Sequence, residues 1–278
     1  MTDLLLPHFI IIGAMKSGTT TLYRHLDEHP DVDMSRDKET DFFVSEKNWS
    51  RGLGWYSNQF SRSDAVRGEA SPNYSKSRDF PGVAERMVEV CPDVKLIYIL
   101  RDPIDRAQSQ FHHGVFMGAL SPDLNDFQSK HEYAHILDGS LYAEQLKTYL
   151  RYFSKEAILI LDFADLVSAP QAVMDKVTAH IGVAARPLSN ADARNESAEI
   201  SRVPAPILRF AQSPFGRRAA GLVGHSTRDR MRDALALRPS RKPPVFPDGL
   251  RMSFADDLRA DAQKLRAMTG LSFPTWSV

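Results

Sequence analysis

The stretch Phe9-Ile10-Ile11-Ile12-Gly13-Ala14-Met15-Lys16-Ser17-Gly18-Thr19-Thr20-Thr21-Leu22-Tyr23 constrains the fold more than any other part of the chain. A β-branched apolar run suits a strand buried on both faces, the mark of a parallel sheet. Small residues follow, with two glycines that permit positive φ or close backbone approach. Helical spacing then begins. A helix opening from such a loop turns its free N–H groups, and the positive end of its dipole, toward whatever lies in the loop, so an oxyanion is the expected ligand. The bland alternative is an ordinary strand-to-helix turn with Ser, Gly and Thr at its N-cap.

Gly13 and Gly18 have the separation of the phosphate loop G-x-x-x-x-G-K-[ST], but Thr19 stands where that pattern has lysine. The lysine is Lys16, inside the loop, and its ammonium would meet the terminal group of the ligand from another direction.

Further strands and helices follow. Lys95–Leu100 reads as a strand ending on Arg101-Asp102-Pro103, with Asp102 as N-cap and Pro103 in the first turn of a helix running to about Phe116. Arg101 then sits at a strand's carboxyl end, where open parallel sheets bind ligands. Arg106 and Ser109 share one face of the following helix. Val66–Tyr74 reads as a short strand entering a turn, with Glu69 and Ser71 near its end. Residues 157–163 read as a third buried strand, and residues 117–140 as a polar stretch of turns. Helices are expected from Ala169-Pro170 to Gly182 and from Leu250 to before Gly270, with Trp276 in a tail that docks back.

Lys38-Glu39-Thr40-Asp41-Phe42-Phe43 places charges ahead of two aromatics that would anchor the segment and fix a carboxylate; a solvated charge pair before a buried aromatic fits the spacing equally. His112 and His113 are adjacent, so on a helix they diverge by about 100°. No histidine, cysteine or carboxylate spacing suggests a metal, and no G-x-S-x-G is present. Phosphate-type chemistry survives.

Within 278 residues, 35 basic and 35 acidic side chains cancel, so no global field draws nucleic acid or an acidic membrane. Between Ser201 and Lys242, however, basic residues far outnumber Asp229 and Asp233. That block could cover an anionic cofactor, grip an anionic acceptor or face lipid as a peripheral contact. A single cysteine, Cys91, permits no intrachain disulfide, and Leu4–Leu6, broken by Pro7-His8, is neither signal peptide nor membrane span, so a cytoplasmic protein is expected.

Taken together, the loop with Lys16 and the Arg101-x7-Ser109 spacing resemble the sulfotransferases that use 3′-phosphoadenosine-5′-phosphosulfate (PAPS). Lys38–Phe43 resembles the Lys-Glu-x-x-Phe-Phe segment of the heparan-sulfate-type branch, and Gly68–Tyr74 its Ser-Pro-x-Tyr turn. Gly139-Ser140-Leu141-Tyr142 is similar to the same branch. The resemblance covers residues 8–182. It implies an α/β fold, a P-loop-like parallel sheet with helices on both faces and a helical C-terminal extension. One domain over 1–278 is implied, with a core at 8–182 and a basic, lid-like extension at 190–278.

It also implies roles. Ala14, Met15, Lys16, Ser17, Gly18, Thr19 and Thr20 would hold the 5′-phosphosulfate, Arg101 and Ser109 the 3′-phosphate, with Tyr142, Arg241 and Lys242 as further nucleotide contacts. Lys16 would stabilise the leaving group and Glu39 would be the general base. Lys38, Asp41, Glu69, Ser71, His112 and His113 are candidate acceptor contacts. PAPS would be co-substrate, PAP product, no metal needed, and the acceptor a hydroxyl on a carbohydrate, lipid or small alcohol. Thr40-Asp41 replace the branch's frequent Pro-His. A Mg-dependent kinase of similar fold, or a non-catalytic nucleotide-binding relative, are the competing classes.

Overall fold

The computed structural model describes residues 4–188 and 244–278; Arg241, Lys242 and the basic block at 201–242 lie outside the described residues. Five parallel strands form one sheet. The loop-bearing strand β1 (Phe9–Gly13) lies at its centre. With β2 (Val32–Met34), β3 (Val66–Ala70), β4 (Lys95–Leu100) and β5 (Ile158–Asp162), the order across the sheet is β2-β3-β1-β4-β5.

Parallel strands need crossover connections, and these clothe both faces, so central strands read as unbroken apolar runs. Side-chain alternation splits β1 between the two cores. Phe9 and Ile11 pack with Leu22 and Leu26 of α1 (Thr19–Asp27) on one face. On the same face lie Val173 and Val177 of α8 (Pro170–Ile181). Ile10 and Ile12 pack on the other with Met87 of α3 (Val83–Val90) and with Leu146 and Tyr149 of α6 (Tyr142–Tyr149). Cys91 is a buried apolar residue at the end of α3.

A third apolar cluster joins α4 (Pro103–Phe116), α5 (His131–Asp138) and the C-terminal helix α9 (Asp248–Thr269). Phe254 of α9 stacks on Phe246, with ring centroids 5.2 Å apart. Trp276 docks back as expected, 5.6 Å from the Tyr142 ring, and the Ser277 hydroxyl donates to the Asp102 carboxylate at 2.7 Å. Among the described residues no helix is long and apolar enough to cross a membrane.

Two readings are corrected. The polar stretch 117–140 contains helix α5, whose Tyr133 and Ile136 are buried; interleaved His, Glu and Asp mask its apolar face. The third strand, β5, is an outer strand with Leu159, Ile160 and Asp162 only partly covered. Arg106 is fully buried; it donates to the Ser140 hydroxyl and the Gln110 side-chain oxygen, both at 2.6 Å, and to the Ile136 carbonyl, and so joins α4 to α5.

Phe254 has no exposed surface, so Phe254→Ala should cost about 3–5 kcal/mol in urea unfolding while leaving a single cooperative transition. A separate early transition for the C-terminal helix would show that α9 is not part of the same folding unit.

Candidate active site

The loop with Lys16 stands just beyond the carboxyl end of β1, Arg101 beyond that of β4 and the Glu39 segment beyond that of β2. After β1 the backbone passes through Gly13 (φ 154°), where an added Cβ would lie 2.1 Å from the Ser75 hydroxyl oxygen, so no larger residue fits. Gly18, at φ 90°, is the N-cap of α1, and a Cβ there would lie 2.7 Å from the Phe163 ring. Among the described residues no side chain caps this helix. Its first-turn N–H groups, which have no intrahelical acceptor, are therefore available to an anion at the loop.

Lys16 sits at the crest of the loop with φ 70°. Burial holds its ammonium below the ordinary lysine range, and Arg101 pushes the same way; Glu39 opposes them and Lys38 adds to the depression. These four charges therefore converge. Arg101 follows β4, and its guanidinium lies 5.1 Å from the Phe163 ring at the start of α7 (Phe163–Ser168). Asp102 caps α4 by accepting from the N–H groups of Ile104 and Asp105, each at 2.9 Å. Ser109 lies half-buried further along α4. Tyr142 is fully buried behind the loop; its hydroxyl donates to the Arg101 carbonyl at 2.9 Å and lies beside the Ser17 hydroxyl.

Glu39 is carried by the segment after β2. Its backbone has φ 63°, its N–H donates to the Ala70 carbonyl at 3.0 Å, and its carboxylate pairs with Lys38 at 2.7 Å while staying about half exposed. The aromatics beside it are anchors, as their spacing suggested: Phe42 and Phe43 are buried, and Phe42 stacks on Tyr56 of α2 (Gly52–Ser57) at 4.1 Å.

Behind Glu39 lies a second carboxylate. Glu69 has no exposed surface and accepts hydrogen bonds from four hydroxyls: Tyr56 at 2.6 Å, Ser71 and Tyr74 at 2.9 Å, and Thr40. Burial raises its pKa, and the four donors work against that rise. Glu69 and Ser71, candidates for acceptor contacts on strand position alone, are thus enclosed groups that hold the Glu39 segment from behind. Asp41 is likewise enclosed, bound by Lys47 and, at 3.0 Å, by the Asn73 amide, while its N–H donates to Ser71. This is what Thr40-Asp41 do in place of Pro-His: both are spent on fixing the segment.

The two adjacent histidines separate as helix geometry requires. His112 donates to the Pro244 carbonyl at 3.0 Å, away from the site. His113 has a buried Nδ1 without a hydrogen-bond partner among the described residues; burial and the Lys16 charge lower its pKa, and Glu39 opposes them. One residue at the site escaped the sequence reading. Phe163 stands between Gly18 and Arg101 and follows the end of β5, the one signal by which it was findable.

A Lys-bearing anion loop, a second cation beyond β4 and an open carboxylate on the far side define a group-transfer site for an anionic donor. Residues 6–200 match the sulfotransferase domain, and the chain belongs to that family. It is 32% identical over 203 residues to the bifunctional heparan sulfate N-deacetylase/N-sulfotransferase 4 of Mus musculus, covering 64% of this chain and 22% of that protein. It is 31% identical over 190 residues to the human heparan sulfate glucosamine 3-O-sulfotransferase 3B1, covering 64% and 46% respectively. The chain thus spans less than half the length of these relatives. A sulfotransferase structure from Alicyclobacillus acidocaldarius has the same fold, with a TM-score of 0.72 at 23% identity over 98% of this chain and 99% of that one.

Because burial raises the Glu69 pKa, the folded state holds more protons than the unfolded state between the ordinary carboxyl range and that raised value. Stability therefore falls as pH rises through this window. In Glu69→Gln this component should vanish, which unfolding midpoints measured from pH 4 to 8 will show; an unchanged slope would mean that Glu69 ionises freely.

Proposed function

We propose that this chain transfers a sulfuryl group from PAPS to a carbohydrate hydroxyl, in line and without a metal, with Lys16 and Glu39 as the catalytic residues. The convergence of Lys16, Arg101 and Glu39 on one edge of the sheet carries this reading.

PAPS supplies an activated sulfuryl group. The loop from Ala14 to Thr20 and the open N-terminus of α1 suit its 5′-phosphosulfate, where N–H groups and dipole favour negative charge. Arg101 and Ser109 suit the 3′-phosphate. Arg101 is kept in place from both sides, by the Tyr142 hydrogen bond to its carbonyl and by the Phe163 ring beneath its guanidinium.

Glu39 takes the proton of the attacking hydroxyl as the new O–S bond forms, for which its partly exposed carboxylate, fixed at the backbone, is suited. As the bond from sulfur to the bridging oxygen breaks, Lys16 donates to the charge growing on that oxygen, and PAP leaves. Lys38 pairs with the Glu39 carboxylate at 2.7 Å. A sulfuryl group carries less charge than a phosphoryl group, so two nearby cations and the helix terminus suffice for neutralisation. The carbohydrate acceptor is supported by the heparan sulfate sulfotransferases that the chain resembles.

PAP should raise the melting temperature in EDTA as much as in Mg²⁺; no shift in either would overturn the assignment. Lys16→Ala should fold normally and lose about 10²–10³ in kcat, the usual effect of removing one preorganised donor. Glu39→Gln should abolish transfer from PAPS with PAP affinity nearly unchanged, as read by calorimetry and labelled sulfate; surviving transfer would move the base elsewhere.

A further inference from the structure

Among the described residues the Arg101 guanidinium has no hydrogen bond or ion pair; it lies over the Phe163 ring, and the main chain that carries it sets much of its aim. That main chain is held at two points. The Arg101 carbonyl accepts from the Tyr142 hydroxyl at 2.9 Å, and the next residue, Asp102, divides its carboxylate between two tasks. Oδ1 accepts from the N–H groups of Ile104 and Asp105 and so caps α4, while Oδ2 accepts from the Ser277 N–H and, at 2.7 Å, from the Ser277 hydroxyl.

Both points lead to the segment after α9. The Tyr142 ring lies between Tyr98 of β4, perpendicular to it with centroids 6.1 Å apart, and Trp276, with centroids 5.6 Å apart. Trp276 is fastened in turn: Phe273 stacks on it at 4.1 Å, and Arg266 of α9 lies 5.9 Å from its ring while donating to the Ser272 carbonyl at 2.9 Å and to the Val278 carbonyl. Burial of an apolar ring accounts for Trp276 by itself, but not for Ser277. Ser277 is exposed, and yet it gives both its donors to a carboxylate 175 positions away. The cap of α4 does not need them, because Oδ1 alone supplies it. What the two donors add is a fixed orientation for the residue that follows Arg101.

We propose that Trp276 and Ser277 are positioning residues for the nucleotide, which through Tyr142 and Asp102 hold the Arg101 peptide so that the guanidinium meets the 3′-phosphate of PAPS. This rests on the sulfotransferase reading above and on the assignment of Arg101 within it. A guanidinium binds phosphate through a planar fork, so a change of aim costs it contacts that a point charge would keep. A main chain fixed before the ligand arrives also loses less freedom on binding.

The test compares PAP with adenosine 5′-phosphate, which lacks only the 3′-phosphate, by calorimetry on the whole chain. Arg101→Met should reduce the preference for PAP about ten- to a hundredfold, the range of hydrogen bonds to a charged group. Trp276→Leu and Ser277→Ala should each reduce it roughly three- to thirtyfold, as expected for members of one connected network, with affinity for adenosine 5′-phosphate kept. Ser277→Thr, which retains the hydroxyl, should restore it. Once Arg101 is replaced, the same substitutions should change the preference no further. A purely structural role would lower affinity for both nucleotides alike. That outcome, an unchanged preference in Ser277→Ala, or a further loss in the Arg101→Met background would overturn the proposal. Ser277 is exposed, so its variants keep the test decisive even if Trp276→Leu folds poorly. A preference untouched by Arg101→Met would overturn the assignment of Arg101 and this inference with it, and failure of the unaltered chain to bind PAP would overturn the sulfotransferase reading itself.

Discussion

Four hydroxyls converge on the Glu69 carboxylate, and each comes from a different part of the chain: Thr40 from the segment bearing Glu39, Tyr56 from α2, Ser71 from the end of β3 and Tyr74 from the turn beyond it. A carboxylate without exposed surface must be surrounded in this way, since an unpaired charge there would cost several kcal/mol. The converse matters more for function. By demanding these donors, Glu69 locks the segment 39–43 against the sheet, and the positive φ values of Glu39 and Asp41 are held by that closure. One acidic side chain is sacrificed to the interior so that a second, in the connection just before its strand, is presented at the surface.

The same division of labour recurs around the site. Arg106 is enclosed and joins α4 to α5, while Arg101, five residues before it, stays at the sheet's edge over Phe163. Tyr142 is buried with its hydroxyl on the Arg101 backbone, and Trp276 from the C-terminal tail packs on its ring. The tail also reaches Asp102, the residue that starts α4. The cation beyond β4 thus depends on contacts from three distant segments. Such preorganisation is what electrostatic catalysis requires, because groups that are already oriented need not reorganise as charge develops.

Charge balance at the site is asymmetric. Among the described residues the interior supplies partners for its structural ions, Arg106 and Asp41, but no hydrogen-bonded anion for Lys16. An ammonium depressed by burial and by Arg101 is unfavourable for the empty fold. It becomes favourable when an anion arrives, so binding energy is concentrated where the reacting groups must meet.

The amino-acid sequence was enough for the central strand, its loop and helix, for the strand that delivers Arg101, for α8 closed by Gly182 and for α9 closed by Gly270. These are local features, written as apolar period, capping residues and glycine position, and local physics decides them. Helix α5 escaped because charged residues interrupt its apolar face. The roles of like residues were beyond sequence: Glu39 is open and Glu69 enclosed, Arg101 lies at the edge and Arg106 within, His113 faces the site and His112 turns to Pro244. Those distinctions rest in large part on residues distant in the chain, such as Thr40, 29 positions from Glu69, and Ser140, 34 positions from Arg106, so only the folded chain could decide them.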